Sequence, residues 1–205
     1  MSDISSSDVQ EHERRSGQLG YYWFLTFEQA SELHSLIEDC QQAMDVHFFD
    51  PVQPNGLHVT LDRIAYDGDI ALEHLESIAM AAGRACRDEA PFTLTIGRLT
   101  NLRGAIGFPV SPVERLRTLR GTLRTATQSV FPDAPVKEPR SEPHLTIAYP
   151  LFEGLSAEAA AIATKTEAKT DGVAVTVTEA AMVGLKRHAH SYSWNVMARI
   201  PLTGE

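Results

Sequence analysis

The chain has 205 residues, 43% hydrophobic and 22% charged, which suits one globular domain, and no apolar run approaches the roughly 18 residues that a membrane span needs. A net charge of −9 excludes a long electrostatic footprint on duplex nucleic acid and favours a small anionic ligand. The polar start, MSDISSSDVQEHERRSGQLG, lacks the apolar stretch of a signal peptide, so residues 1–19 are expected to be a disordered leader before a single two-lobed domain, 20–205, of a cytoplasmic protein.

YYWFLTF (21–27) is aromatic and β-rich, a first strand. Residues 28–44 space their apolar side chains as a helix does, and HFFDPVQPNG after them has the prolines and Asn-Gly of a loop. LHVTLDRI is a strand. Residues 67–89 form a second amphipathic helix, with Asp67 or Asp69 as candidate N-cap. PFTLTIGRLT and GAIGFPV are two strands joined by an Asn-Leu-Arg turn. A third helix starts at Ser111-Pro112, and PDAPVKEPRSEP is a second Pro-rich loop. HLTIAYP is a strand, Ser156 caps a fourth helix, and the tail alternates as two strands around a loop at 186–193. Cys40 and Cys86 fall in helical segments and read as packed, reduced thiols.

GLHVTLDRI at 56–64 is echoed by EPHLTIAYP at 142–150. Side chains alternate along a strand, so His58 and Thr60 share one face, with Val59 and Leu61 on the other. His144 and Thr146 are related in the same way to Leu145 and Ile147. Each unit offers an imidazole that titrates near neutrality and a neutral hydroxyl donor. Facing one cleft, two such units suit phosphodiester chemistry without a metal. One imidazole accepts the nucleophile's proton, the other protonates the leaving oxygen, and the threonines hold the phosphate oxygens. Either histidine alone could be an ordinary strand residue bonded to its threonine, but the repeated pattern is hard to obtain by chance. It departs from strict repetition where Pro143 stands in the place of Leu57.

The paired HVTL (58–61) and HLTI (144–147) resemble the signature of the 2H phosphoesterase superfamily, the group of LigT-like 2′-5′ RNA ligases and cyclic phosphodiesterases. The resemblance covers roughly residues 20–202, with PHLTIAYPLFEGLSAEAAAIA and SYSWNVMARIPL adding to it. It implies an α+β, bilobal fold of two antiparallel sheets flanked by helices, with a central cleft. By the same resemblance His58 and His144 are the acid–base pair, and Thr60 and Thr146 grip the phosphate. The carry-over takes His58 as acid and His144 as base, with the reverse left open. Tyr149, five residues after His144, matches a cleft tyrosine, and Arg63 has the same offset after His58. Regular strand parity would turn Tyr149 away from His144, so a bulge or strand end is required. Asp62-Arg63 stands where many relatives have an aromatic or small residue.

The implied activity is hydrolysis of a 2′,3′-cyclic phosphate on a nucleotide or RNA end, with no cofactor, by a monomer. The alternatives are 2′-5′ RNA ligation, hydrolysis of a cyclic oligonucleotide, and a non-catalytic nucleotide-binding module. Four other features stand outside the paired motif. Tyr21, Tyr22 and Trp23 could be core, or Tyr22 and Trp23 could carry a base by stacking. Arg115, Arg117, Arg120 and Arg124 on one helix are either a solvated face or a basic wall beside a phosphate site. Lys186 to His190 reads as a loop rim rather than a zinc site, and Trp194 as core.

Overall fold

The computed structural model describes residues 17–136, 141–166, 173–188 and 191–205. Most of the expected leader lies outside them, but its last three residues already belong to a strand. The elements are β1 (Gly17–Thr26), α1 (Ser31–Gln41), β2 (Phe49–Pro51), β3 (His58–Tyr66), α2 (Leu72–Ala85), β4 (Phe92–Ile96) and β5 (Thr100–Leu102). Then come β6 (Ala105–Ser111), α3 (Val113–Val130), β7 (His144–Pro150), α4 (Ser156–Thr166), β8 (Ala174–Val177), β9 (Glu179–Arg187) and β10 (Tyr192–Pro201). All named pairings are antiparallel. One sheet runs β10-β9-β1-β3 and the other β2-β7-β6-β4-β8, with β5 on β6.

The four helices fall where the apolar period places them, whereas the strands outnumber the expectation. Residues 49–51 were expected in a loop, yet they pair with the end of β7, Asp50 opposite Tyr149, because a free sheet edge supplies partners that three residues cannot advertise in sequence. The Asn-Leu-Arg turn is shorter than expected. Arg103 (φ 60°) and Gly104 (φ 103°) alone make the left-handed hairpin turn, which frees Asn101 and Leu102 to join β5. The tail gives three strands, with the break between β8 and β9 at Thr178. Neither Asp67 nor Asp69 caps α2, which starts after Ala71 with no side-chain cap, and Ser156 is the first residue of α4.

A continuous apolar core joins both sheets and the helices: Trp23 and Val59 from the first sheet, Phe108, Leu145 and Ile147 from the second, and Leu33, Ile78 and Leu123 from helices. Strand parity splits β1 between two environments. Trp23 and Leu25 enter this core, while Tyr22 and Phe24 join Ala181, Val183 and Leu185 in a smaller cluster on the opposite face. Cys40 and Cys86 are buried free thiols. No helix among the described residues is long and apolar enough to cross a membrane.

The chain between β2 and β3 crosses from one sheet to the other. The Val52 amide donates to the Ile147 carbonyl, and Gln41 Nε2 bridges the carbonyls of Val52 and Ile147, each bond 2.9 Å. The segment leading into His58 is therefore tied to the strand that begins with His144. β3 is the edge strand of its sheet and packs beside β7.

Candidate active site

His58 and His144 are the first residues of β3 and β7. Each imidazole is anchored in the same way. His58 Nδ1–H donates to the Gly56 carbonyl (3.0 Å), and His144 Nδ1–H donates to the Glu142 carbonyl (2.8 Å), in both cases two residues upstream. A carbonyl can only accept, so each Nδ1 carries hydrogen and each neutral ring keeps its lone pair on Nε2.

The two rings differ in their surroundings. His58 stacks on Phe24 (centroids 4.3 Å, interplanar 17°) and meets the edge of Trp194 (4.8 Å, 70°). Burial in this aromatic bracket lowers its pKa from 6.5 to about 4; the Gly56 carbonyl opposes the shift, and the nearby His144 charge adds to it. The neutral form of His58 therefore prevails at pH 7. The influence of the His144 charge on His58 means that the two rings, from different sheets, lie near one another.

The strands keep the motif threonines beside the histidines in different degrees of exposure: Thr60 is exposed and Thr146 is nearly buried. Each strand then carries a β-bulge at the fourth motif position. Phe24 pairs with Thr60 and Trp23 with Asp62, leaving Leu61 without a partner; Gly107 pairs with Thr146 and Ile106 with Ala148, leaving Ile147 without one. An extra residue reverses the alternation. It turns Arg63 and Tyr149 to the face of the preceding histidine, which supplies the bulge that the sequence required. The Tyr149 phenol lies against Thr146, and burial, first, with neighbouring Tyr192 second, raises its pKa beyond the physiological range. Its ring meets Tyr192 edge-on at 5.3 Å.

Arg63 donates from Nε to the Tyr22 hydroxyl (2.8 Å), and its guanidinium lies over the rings of Tyr22 and Tyr66 at 5.0 and 4.3 Å. Both Tyr22 and Arg63 line a cavity of about 890 Å³ that also reaches Thr60 and His144. Trp23 does not belong to the site. Parity puts it in the main core, 0% exposed, where its Nε1–H donates to Thr127 Oγ1 at 3.0 Å, so it cannot stack on a ligand. Tyr21 packs against the same core.

Conversely, Trp194 was expected to be core, but it is half-buried against His58 and Phe24. Phe24 and Trp194 against His58, and Tyr192 against Tyr149, are neighbours of the candidate residues that the sequence did not single out; only the alternation of β1 and β10 hinted at them. The four arginines also divide. Arg117, Arg120 and Arg124 line the cavity beside His144, whereas Arg115 turns away to the Ala90 carbonyl (3.0 Å) and the ring of Phe92. In the 186–190 segment, Lys186 and Arg187 belong to β9 and His188 Nε2 bonds Ser193 Oγ at 2.7 Å; residues 189–190 lie outside the described residues.

A family model described as the 2′-5′ RNA ligase superfamily matches residues 27–189, a span that holds both His-x-Thr units. Among solved structures, TT0787 of Thermus thermophilus superposes with a TM-score of 0.68 at 18% identity, covering 90% of this chain and 98% of that one. LigT of E. coli in complex with 3′-AMP gives a TM-score of 0.62 at 17% identity, covering 92% and 99%. The same protein in complex with NADP+ gives 0.62 at 16%, covering 91% and 99%. These likenesses establish a LigT-like fold. No curated protein matches the chain.

Proposed function

The chain belongs to the 2′-5′ RNA ligase superfamily, of the 2H phosphoesterase type, and we propose that within it this protein hydrolyses a 2′,3′-cyclic phosphate to a phosphomonoester by two-histidine acid–base catalysis. The observation that carries the reading is the matched pair of imidazoles, each held by an upstream carbonyl at Nδ1 and each free to use Nε2. The same positions are occupied on two different sheets, which is what a phosphate gripped from both sides requires.

The environment of His58 supports one division of the roles. His58, neutral well below pH 7, is the general base, and His144, as imidazolium, is the general acid; this reverses the assignment carried over from the family resemblance. His58 Nε2 removes a proton from water, and the water oxygen bonds to phosphorus. The bond from phosphorus to O2′ or O3′ breaks as His144 Nε2–H delivers its proton to that oxygen. The hydroxyls of Thr60 and Thr146 donate to the non-bridging oxygens as their charge grows, and the Tyr149 phenol, kept neutral, is a further donor beside Thr146. The Glu142 carbonyl accepts from Nδ1–H of His144 and holds the ring so that Nε2 faces the leaving oxygen in this scheme. Solvent exchange then resets both rings. That LigT of E. coli forms crystals with 3′-AMP is in keeping with a product of this kind.

The test is incubation of the four nucleoside 2′,3′-cyclic monophosphates with the protein and a chelator, products separated by chromatography. Conversion to one monophosphate isomer supports the reading. Unchanged substrate with folded protein refutes it.

A further inference from the structure

The cavity beside His144 extends past the reacting centre. It touches Thr60 and His144, one residue from each motif, and then continues along the face of α3. Arg117, Arg120 and Arg124 recur there at the three- and four-residue spacing that stacks side chains along one helical stripe. Arg63, from β3, lines the same cavity. Among the described lining residues, these four guanidiniums face two carboxylates, Asp62 and Glu142, in a chain whose net charge is −9.

Two of the four are well withdrawn from solvent: the side chains of Arg120 and Arg124 are 12% and 19% exposed. Asp62, itself 7% exposed, orients both. Its Oδ2 accepts from Arg124 Nε at 2.8 Å and lies 3.7 Å from Arg120 Nε, while its Oδ1 accepts the Arg63 amide at 3.0 Å. Asp62 follows the bulged Leu61, so the motif strand itself carries the carboxylate that aligns the stripe. Arg117 lies nearer the mouth, 55% exposed, bonded to Glu114 at 2.6 Å and within 3.4 Å of Glu142. Concentrated, oriented positive charge in a low-dielectric recess is suited to an anion.

We infer that the α3 arginine stripe with Arg63 is a subsite for a second phosphate of the substrate, next to the phosphate attacked at the His-x-Thr pair. The inference rests on the phosphodiesterase reading for the identity of the first phosphate. It deepens that reading by excluding a lone nucleoside cyclic phosphate as the best substrate. The second phosphate is either a 5′-phosphate on the same nucleoside or the phosphodiester of a neighbouring nucleotide in an RNA end.

The test compares three substrates: adenosine 2′,3′-cyclic phosphate, its 5′-phosphorylated form, and the adenosine dinucleotide ending in a 2′,3′-cyclic phosphate. One charge-assisted contact predicts a gain of about tenfold or more in kcat/KM for the form with a second phosphate. Preference for the first or second of the two larger substrates tells which source the subsite takes. Two variants probe the stripe. Arg117→Gln removes an exposed guanidinium. Gly121→Glu adds a carboxylate at a position on the cavity wall where an added Cβ meets nothing within 4 Å. Both are expected to shrink the ratio between doubly and singly phosphorylated substrates toward one, with the melting temperature confirming the fold.

Binding gives a readout independent of turnover. Calorimetric titration with 3′-AMP and with adenosine 3′,5′-bisphosphate should show the bisphosphate bound about tenfold more tightly by wild type, and that advantage reduced in both variants. If no cyclic phosphate is hydrolysed but the bisphosphate advantage is present, the subsite stands and the catalytic reading falls. Equal affinities in wild type, no binding of either compound, or ratios unchanged in both variants would overturn the subsite.

Discussion

A histidine that gives up its charge on folding leaves a signature in stability as well as in rate. His58 has a folded pKa of about 4 against an ordinary 6.5, so between those values the unfolded chain binds a proton that the folded chain refuses. Its stabilising contribution is complete above about pH 6.5 and is lost as the pH falls toward 4. His58→Gln should flatten that limb: from pH 7 to 4.5 the melting temperature of wild type should fall more steeply than that of the variant. Parallel curves would contradict the desolvated imidazole. Trp194→Ala opens the bracket to water and should move the acidic limb of kcat/KM upward toward 6.5, measurable in the pH profile, while an unmoved limb would remove Trp194 from the site. The sequence made His58, Thr60, His144 and Thr146 legible because each pair is local. The rings that set the His58 environment come from β1 and β10, and no local pattern ties them to β3.

At the scale of elements, the two bulges do what strand periodicity could not foretell. A regular strand would have sent Arg63 and Tyr149 away from their histidines. The extra residues Leu61 and Ile147 redirect them, so the +5 positions became legible only as a condition the fold had to meet. The bulge in β7 depends on close approach of β6. A Cβ on Gly107 would lie 2.2 Å from the Leu145 carbonyl oxygen and 2.6 Å from Leu102 Cδ1. The backbone oxygen cannot yield as a side chain would. Gly107→Ala is expected to cost on the order of 1–3 kcal/mol by overpacking and to displace Thr146 along with its strand. Denaturant unfolding together with KM for the cyclic substrate measures both; a variant unchanged in both would show that β6 does not set the bulge. β2 and β5 stayed hidden in sequence for a related reason. Three-residue strands gain their pairing from a neighbour's edge, not from their own side-chain pattern.

At the scale of the molecule, each motif histidine sits on its own sheet, but one core runs beneath both. The four helices followed from the apolar period, and the α+β class from the order of strands and helices together with the family resemblance. The crossing between sheets, with Gln41 pinning Val52 to Ile147, did not, because it depends on a side chain in α1 meeting two distant carbonyls. A shared core predicts one cooperative unfolding transition, with far-UV and near-UV signals coincident in denaturant. Separated transitions would mean that the two sheets unfold independently and that the site is held together by less than the core suggests. Charge works at this scale too: a net charge of −9 in a chain with an arginine-lined recess discourages long polyanions and leaves room for a short one.

The most direct measurement of the two-histidine mechanism is turnover of a nucleoside 2′,3′-cyclic phosphate, with chelator present, by wild type, His58→Ala and His144→Ala. Wild type is expected to hydrolyse it, and each variant to lose roughly 10²–10⁴-fold in kcat while remaining folded. Full activity in either variant would contradict the mechanism.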